Sequence, residues 1–259
     1  MSKRILLVGE APFVDVLLDL CEVKGFKVDM HYVEDLDEPE NLDKMVKDAG
    51  KCDLFIESLN DSKTSKLWLI EGVEPNLKEK TTILTNCLCA SATEVASWCE
   101  NPSRVVGFGL LPPITFPGLV EYVPSMQANF HSAAFAREFF EKIGLEPVRV
   151  PDTPGMVRAR MVCALINEAA LALDRGVASA EDIDTGTRLV LGLPRGPLAW
   201  ADEIGLDVVL GTLLSLHEYW GEARFHPAPL LRQKVRAGHL GKKTGRGFFI
   251  DTALDLDEE

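Results

Sequence analysis

Basic residues are the first shortage in this sequence: 27 lysines and arginines face 40 aspartates and glutamates, a formal charge of -13. A surplus of that sign repels nucleic acid and anionic membranes unless cations are clustered locally, and the sequence shows no basic stripe, so neither partner is expected. Long apolar runs are also missing. The opening segment MSKRILLVGEAP has only a strand-length apolar run, broken at Glu10 and Pro12 before a signal peptide or membrane span is complete, so a cytoplasmic location is expected. Paired CxxC spacing is absent too. Cys21, Cys52, Cys87, Cys89, Cys99 and Cys163 are scattered, and the CxC of Cys87 and Cys89 has no second pair or suitably placed histidine to complete a tetrahedral set. Free buried thiols, and no metal, are the expectation. Histidine is scarce: His31, His131, His217, His226 and His239 stand singly in polar or helix-end sequence and read as surface groups.

What is present is an ordered alternation. KRILLVG is an unbroken apolar run ending at a glycine, and FVDVLLDLCEVKG then repeats its apolar residues at helical spacing. KVDMHYV, CDLFIESL, TTILTN and SRVVGFGLL have the length and composition of further strands, followed by LVEYVPS and PVRVP around the helical SAAFAREFFEKIG. Strands alternating with helices predict a parallel sheet with right-handed crossovers.

After Pro154 the period changes. MVRARMVCALINEAALALDR carries apolar residues three and four apart and ends at Gly176, and SAEDIDTGTRLVLG follows with Ser179 placed to cap it. ADEIGLDVVLGTLLSLHEYWG and PAPLLRQKVRAG are read as further helices, with Trp200 and Trp220 in their core. The reading is thus α/β plus all-α: a sheet domain over residues 1–151, a helical domain over 152–250, and an acidic tail over 251–259 that is expected to fray.

Several motifs occur in order: DTPG from Asp152, GVASAEDID, GLPRGPLAW, GLD and GKKTGRGFF to Phe249. In that order they resemble the helical C-terminal domain of the 3-hydroxyacyl-CoA dehydrogenases, and CDLFIESL, TTILTN, RVVGFGLLPP and LVEYV resemble that family's NAD-binding domain more faintly. The resemblance covers nearly the whole chain. It implies a Rossmann-like N-terminal domain followed by a helical, 6-phosphogluconate-dehydrogenase-like dimerisation domain. NAD is implied as cofactor, an acyl-CoA as substrate, and a homodimer as the assembly.

The residues that would perform that chemistry are mostly replaced. A dinucleotide turn needs glycines so that backbone approaches the pyrophosphate at a helix N-terminus. Here VGEAPFV keeps Gly9 but has Ala11 and Val14 in place of the next two, and Glu10 adds negative charge. Tyr32 stands where the ribose-binding acid belongs, with Glu34 and Asp35 nearby. Glu57 and Asn86 match positions near the nicotinamide half. By the resemblance, Glu121 is the carboxylate that orients the catalytic histidine, but Gly109 occupies the histidine position. Leu88, Pro112 and Ala159 replace the family's serine and two asparagines. A base near neutral pKa must reach the substrate hydroxyl for hydride to leave, and no imidazole is close in sequence to take that role. The leading expectation is a lapsed relative that binds an acyl-CoA or stabilises an active partner subunit. The alternatives are an active NAD-dependent enzyme with rearranged groups, or Glu121 acting as acid or base on an acyl thioester. Lys242, Lys243 and Arg246 are read as a segment docking on the helical domain rather than as a phosphate site.

Overall fold

A computed structural model describes residues 3–112 and 118–249 and divides the chain into two compact units, Met1–Val157 and Arg158–Glu259. The acidic tail lies outside the described residues. Among the described residues no helix is long and apolar enough to cross a membrane.

The first unit runs β1 (Arg4–Gly9), α1 (Phe13–Val23), β2 (Lys27–Tyr32), α2 (Pro39–Ala49), β3 (Leu54–Ser58), α3 (Lys63–Val73), β4 (Thr82–Asn86), α4 (Ala92–Ser97), β5 (Val105–Gly109), β6 (Gly118–Pro124), α5 (Phe130–Lys142) and β7 (Leu145–Arg149). The sheet order is β2-β1-β3-β4-β5-β6-β7. Alternation along β1 sends Ile5 and Leu7 into the core beneath α1 and α5, and Leu6 and Val8 into the core beneath α2, α3 and α4. This is a Rossmann-like doubly wound layer, with helices on both faces of a mostly parallel sheet.

The all-parallel expectation needs one correction: β6 pairs antiparallel to β5, and parallel order resumes with β7. Residues 110–117 between β5 and β6 are fewer than the roughly dozen that a parallel crossover needs. That reversal sets Glu121 directly opposite Gly109.

The second unit is helical: α6 (Arg158–Asp174), α7 (Ala180–Leu191), α8 (Pro197–Ile204), α9 (Leu206–Trp220) and α10 (Pro229–Arg236). Ser179 caps α7, its hydroxyl accepting from the Asp182 amide at 3.1 Å. The single helix expected through ADEIGLDVVLG is two, because Gly205 adopts φ 104° between α8 and α9, a conformation that side chains rarely tolerate. The reading of one tryptophan also changes. Trp220 is 42% exposed rather than core, with the Arg160 guanidinium 4.7 Å above its ring. The apolar faces of α6 and α9 are largely spent inside the unit, where Val162, Cys163, Ile166, Val209, Leu213 and Leu216 are buried.

The motifs that carry the family resemblance have structural work in this fold. The carboxylate of Asp152, from DTPG, accepts from the Ala92 and Thr93 amides, both at 2.8 Å, at the start of α4. Asp184 accepts from the Leu198 and Ala199 amides of α8, also at 2.8 Å each, and a Cβ on Gly196 would overlap that carboxylate. Asp202 accepts from Phe248 at 2.8 Å and Phe249 at 3.0 Å, with Gly247 leaving it the room. Each carboxylate satisfies two backbone donors that would otherwise be orphaned. Lys242 pairs with Glu203 and Lys243 with Asp207, as a docked segment requires.

His31 also departs from its reading as a surface group. It is buried on β2, with Nε2 3.4 Å from Asp48 Oδ2, and Asp48 also receives Arg4 and Lys51. Burial, partly offset by Asp48, holds the imidazole pKa below its ordinary 6.5. In the unfolded chain His31 binds a proton near pH 6.5, while in the folded chain it does so only at lower pH. Stability is therefore full above pH 6.5 and falls as pH drops through the folded value. Denaturant midpoints measured against pH should fall more gently below pH ~6.5 in His31→Gln than in the parent. Parallel profiles would show that other groups cause the acid loss.

Candidate functional site

The carboxyl ends of parallel strands are where a doubly wound sheet presents ligands. Gly9, Glu57 and Asn86 close β1, β3 and β4 there, and Glu121 joins them through its pairing opposite Gly109 at the end of β5. The fold therefore gathers all four candidate residues at one edge of the sheet.

What they contact is mainly protein. Gly9 lies against β3 so closely that a Cβ would overlap the Ser58 carbonyl oxygen and meet Val14 Cγ1 at 3.0 Å. Its glycine requirement is met by strand packing with no ligand needed. Glu57 is fully buried, and both carboxylate oxygens lie 2.7 Å from Nζ of Lys66 on α3, a residue the sequence reading missed. Glu57 also accepts from Thr85 Oγ1 at 2.6 Å and the Leu59 amide at 2.5 Å, while Lys66 donates to the Asn86 carbonyl at 3.0 Å. Burial alone would lower the Lys66 pKa, but the charge and hydrogen bonds of Glu57 leave it raised, so the ammonium persists. The Asn86 side chain donates to Ser58 Oγ at 3.1 Å and the Leu110 carbonyl at 3.2 Å, and accepts from the Leu110 amide at 3.2 Å. These groups join the ends of β3, β4 and β5 into one satisfied network.

The turn after β1 is where a dinucleotide's pyrophosphate would sit in this fold. Its helix-start amides are occupied: those of Phe13 and Val14 donate to the Glu10 carbonyl at 3.1 and 3.2 Å, and Pro12 has no N–H. The Glu10 carboxylate accepts from the Asn60 amide at 2.8 Å, which fixes a negative charge beside the turn. At the end of β2, Tyr32 donates its hydroxyl to Asp15 at 2.5 Å, and this bond, then burial, raises the phenol pKa. A pyrophosphate needs free amides and positive potential, whereas this turn has two of its amides engaged and a carboxylate held beside them. A like charge about 4 Å away costs on the order of 4 kcal/mol at an effective dielectric of 20. The residues present do not fit the group.

At the ends of β5 and β6, Glu121 is 6% exposed and its Oε2 accepts from the Val157 amide at 3.3 Å. A Cβ on Gly109 would lie 3.1 Å from that oxygen and 3.0 Å from Met156 Sδ. Met156 is buried with φ 45°, held in place by the turn that DTPG forms. Its thioether crowds the place beside Glu121 that a side chain at 109 would enter. The two histidines of this unit stand elsewhere: His31 is at the far edge of the sheet, and His131 opens α5. Leu88 and Pro112 are buried near the ends of β4 and β5, and Ala159 is buried in α6. Cys87 and Cys89 are buried free thiols, as expected, and burial pushes Cys89 up to about 12.

Comparison with known proteins agrees with the architecture. Residues 23–153 match the 3-hydroxyacyl-CoA dehydrogenase NAD binding domain, and residues 155–251 match the C-terminal domain of the same family. The chain is 34% identical over 209 residues to a probable 3-hydroxybutyryl-CoA dehydrogenase of Bacillus subtilis, covering 81% of this chain and 73% of that protein. It is 35% identical over 203 residues to the 3-hydroxybutyryl-CoA dehydrogenase of Clostridioides difficile, covering 78% and 72% respectively. The crystal structure of (S)-3-hydroxybutyryl-CoA dehydrogenase from Ralstonia eutropha superposes with a TM-score of 0.76 at 27% identity, covering 96% of this chain and 99% of that one.

Proposed function

The chain belongs to the 3-hydroxyacyl-CoA dehydrogenase family, and from that premise we propose that it acts in acyl-CoA metabolism by binding, either of an acyl-CoA or of an active partner subunit, and not by NAD-dependent oxidation. One observation carries the proposal: Gly109 stands opposite Glu121, whose carboxylate is engaged by a backbone amide while Met156 crowds the place of a base. Without a base on the hydroxyl, hydride has no partner proton transfer. The self-satisfied turn after β1 supports the same reading for the cofactor.

A second reading, an active dehydrogenase with rearranged groups, is favoured by the gathering of Glu57, Asn86 and Glu121 at one sheet edge. Titration calorimetry with acetoacetyl-CoA and with NADH separates the two, followed by an assay of reduced-nicotinamide absorbance. Saturable binding of the thioester, no heat from NADH and no turnover are expected. Turnover overturns the proposal. A Glu121→Ala variant that leaves both thioester binding and any conversion of the thioester unchanged removes Glu121 as an acid or base on it.

A homodimer is proposed through the helical unit, on the exposed face of α7. On α7 only Asp184 is buried, and Leu189 and Val190 are 73% and 82% exposed. Apolar surface concentrated on one helix marks an interaction site, and a second copy of the same helix matches it in chemistry. Light scattering should give twice the chain mass, and Val190→Glu should weaken association about tenfold or more, ~1.4 kcal/mol. A monomer mass for the parent at micromolar concentration rejects the dimer.

A further inference from the structure

The amino-terminal edge of the sheet, opposite the site described above, holds a concentration of positive charge that no sequence stripe announced. Lys3 precedes β1, while Lys78 and Lys80 lead into β4; some seventy-five residues of chain separate the first from the others. The fold brings them to one cavity of about 330 Å³, closed on its α5 side by His131 and Phe135. Lys3 Nζ rests 3.6 Å from the centre of the Phe135 ring, which leaves its ammonium at the cavity wall.

One carboxylate, Asp53, shares the lining, and it is already engaged: Oδ2 accepts from the Arg4 amide at 3.1 Å, and Oδ1 pairs with Lys78 Nζ at 3.1 Å. Three ammonium groups against one carboxylate leave a surplus of two positive charges, before any contribution from His131, on a protein whose overall charge is -13. Partial burial, and then the charge of Lys142, hold the Lys3 pKa below its ordinary value, outweighing Asp53 and Glu138. An anion here would offset the surplus positive charge of the lining. The cavity is large for a halide and at the lower end of the range for small-molecule sites, and compact, strongly hydrated ammonium groups suit a phosphoryl oxyanion.

We propose that this cavity binds a small phosphorylated ligand, a pyrophosphate or phosphate ester whose two or more negative charges are met by Lys3, Lys78 and Lys80. The site shares no residue with the carboxyl-edge network, so its success or failure is independent of the acyl-CoA reading.

The test is titration calorimetry of the full-length protein with inorganic pyrophosphate at fixed ionic strength, alongside Lys80→Glu and Lys3→Ala. One saturable site is expected. Lys80→Glu should weaken it about tenfold or more, the change expected when an attraction becomes a repulsion, with an unchanged unfolding midpoint because Lys80 is exposed. Ring-proton resonances of His131 should move on titration while those of His31 stay fixed. Heats of dilution alone at millimolar pyrophosphate, or equal affinity in Lys80→Glu, overturn the proposal.

Discussion

Replacing Lys66 with methionine should destabilise the protein by about 3–5 kcal/mol, the usual result of leaving one member of a buried ion pair without its partner. Methionine approximates the length of lysine, so little cavity forms and the loss is electrostatic. Glu57, with no exposed surface, would lose both 2.7 Å contacts and keep only the Thr85 hydroxyl and Leu59 amide as donors. The Asn86 carbonyl would lose its donor as well. Urea unfolding followed by circular dichroism measures the change. The double variant Glu57→Gln/Lys66→Met should recover much of it, since neither partner is then charged. A single variant within about 1 kcal/mol of the parent would show that the pair does not organise the strand ends.

Gly9→Ala is expected to cost about 1–3 kcal/mol or more with no nucleotide present, because the added methyl overlaps the backbone carbonyl of Ser58 and neither strand can yield cheaply. The measurement discriminates between two roles for the same residue. A glycine kept for cofactor approach would tolerate alanine in the unliganded protein and lose only binding. A glycine kept for strand packing loses stability first. An unchanged unfolding midpoint would reject the packing account.

Much of the architecture was legible in the sequence because burial imposes periods on it. The apolar runs of β1, β3 and β4 and the three- and four-residue spacing of α6 mark their elements directly. Relationships between elements were less legible. Nothing local distinguishes β6 as antiparallel, since reversal depends on the length of the return and not on the strand itself. Nothing in LDLCEVKGFKVDMHYV reveals that His31 is covered, because Asp48 comes to it from α2, itself held by Arg4 of β1.

At the candidate site, the positions of Gly9, Glu57, Asn86 and Glu121 at one edge were readable from the resemblance, but their partners were not. Lys66 was the main omission. The signal available was a lysine heading the apolar run KLWLI, nine residues after Glu57, where a charge on a buried face calls for an opposite one. The resemblance itself rests largely on groups that brace the chain: Asp152, Asp184 and Asp202 with the glycines that make room for two of them. Such residues stay necessary to the fold whether or not the catalytic positions keep their chemistry, which explains how recognisable motifs coexist with Gly109 and Leu88.

The clasp between Asp202 and the Phe248 and Phe249 amides also has a consequence for biosynthesis. Until residue 249 has emerged from the ribosome, the Asp202 carboxylate lacks its two donors, so burying it would be unfavourable and the α8 region should remain open during translation. Closure of the helical unit then becomes a late event, timed by the arrival of Phe248 and Phe249. Nascent chains arrested just short of Phe248 should accordingly be cut by protease in this unit while the sheet unit, already assembled, resists.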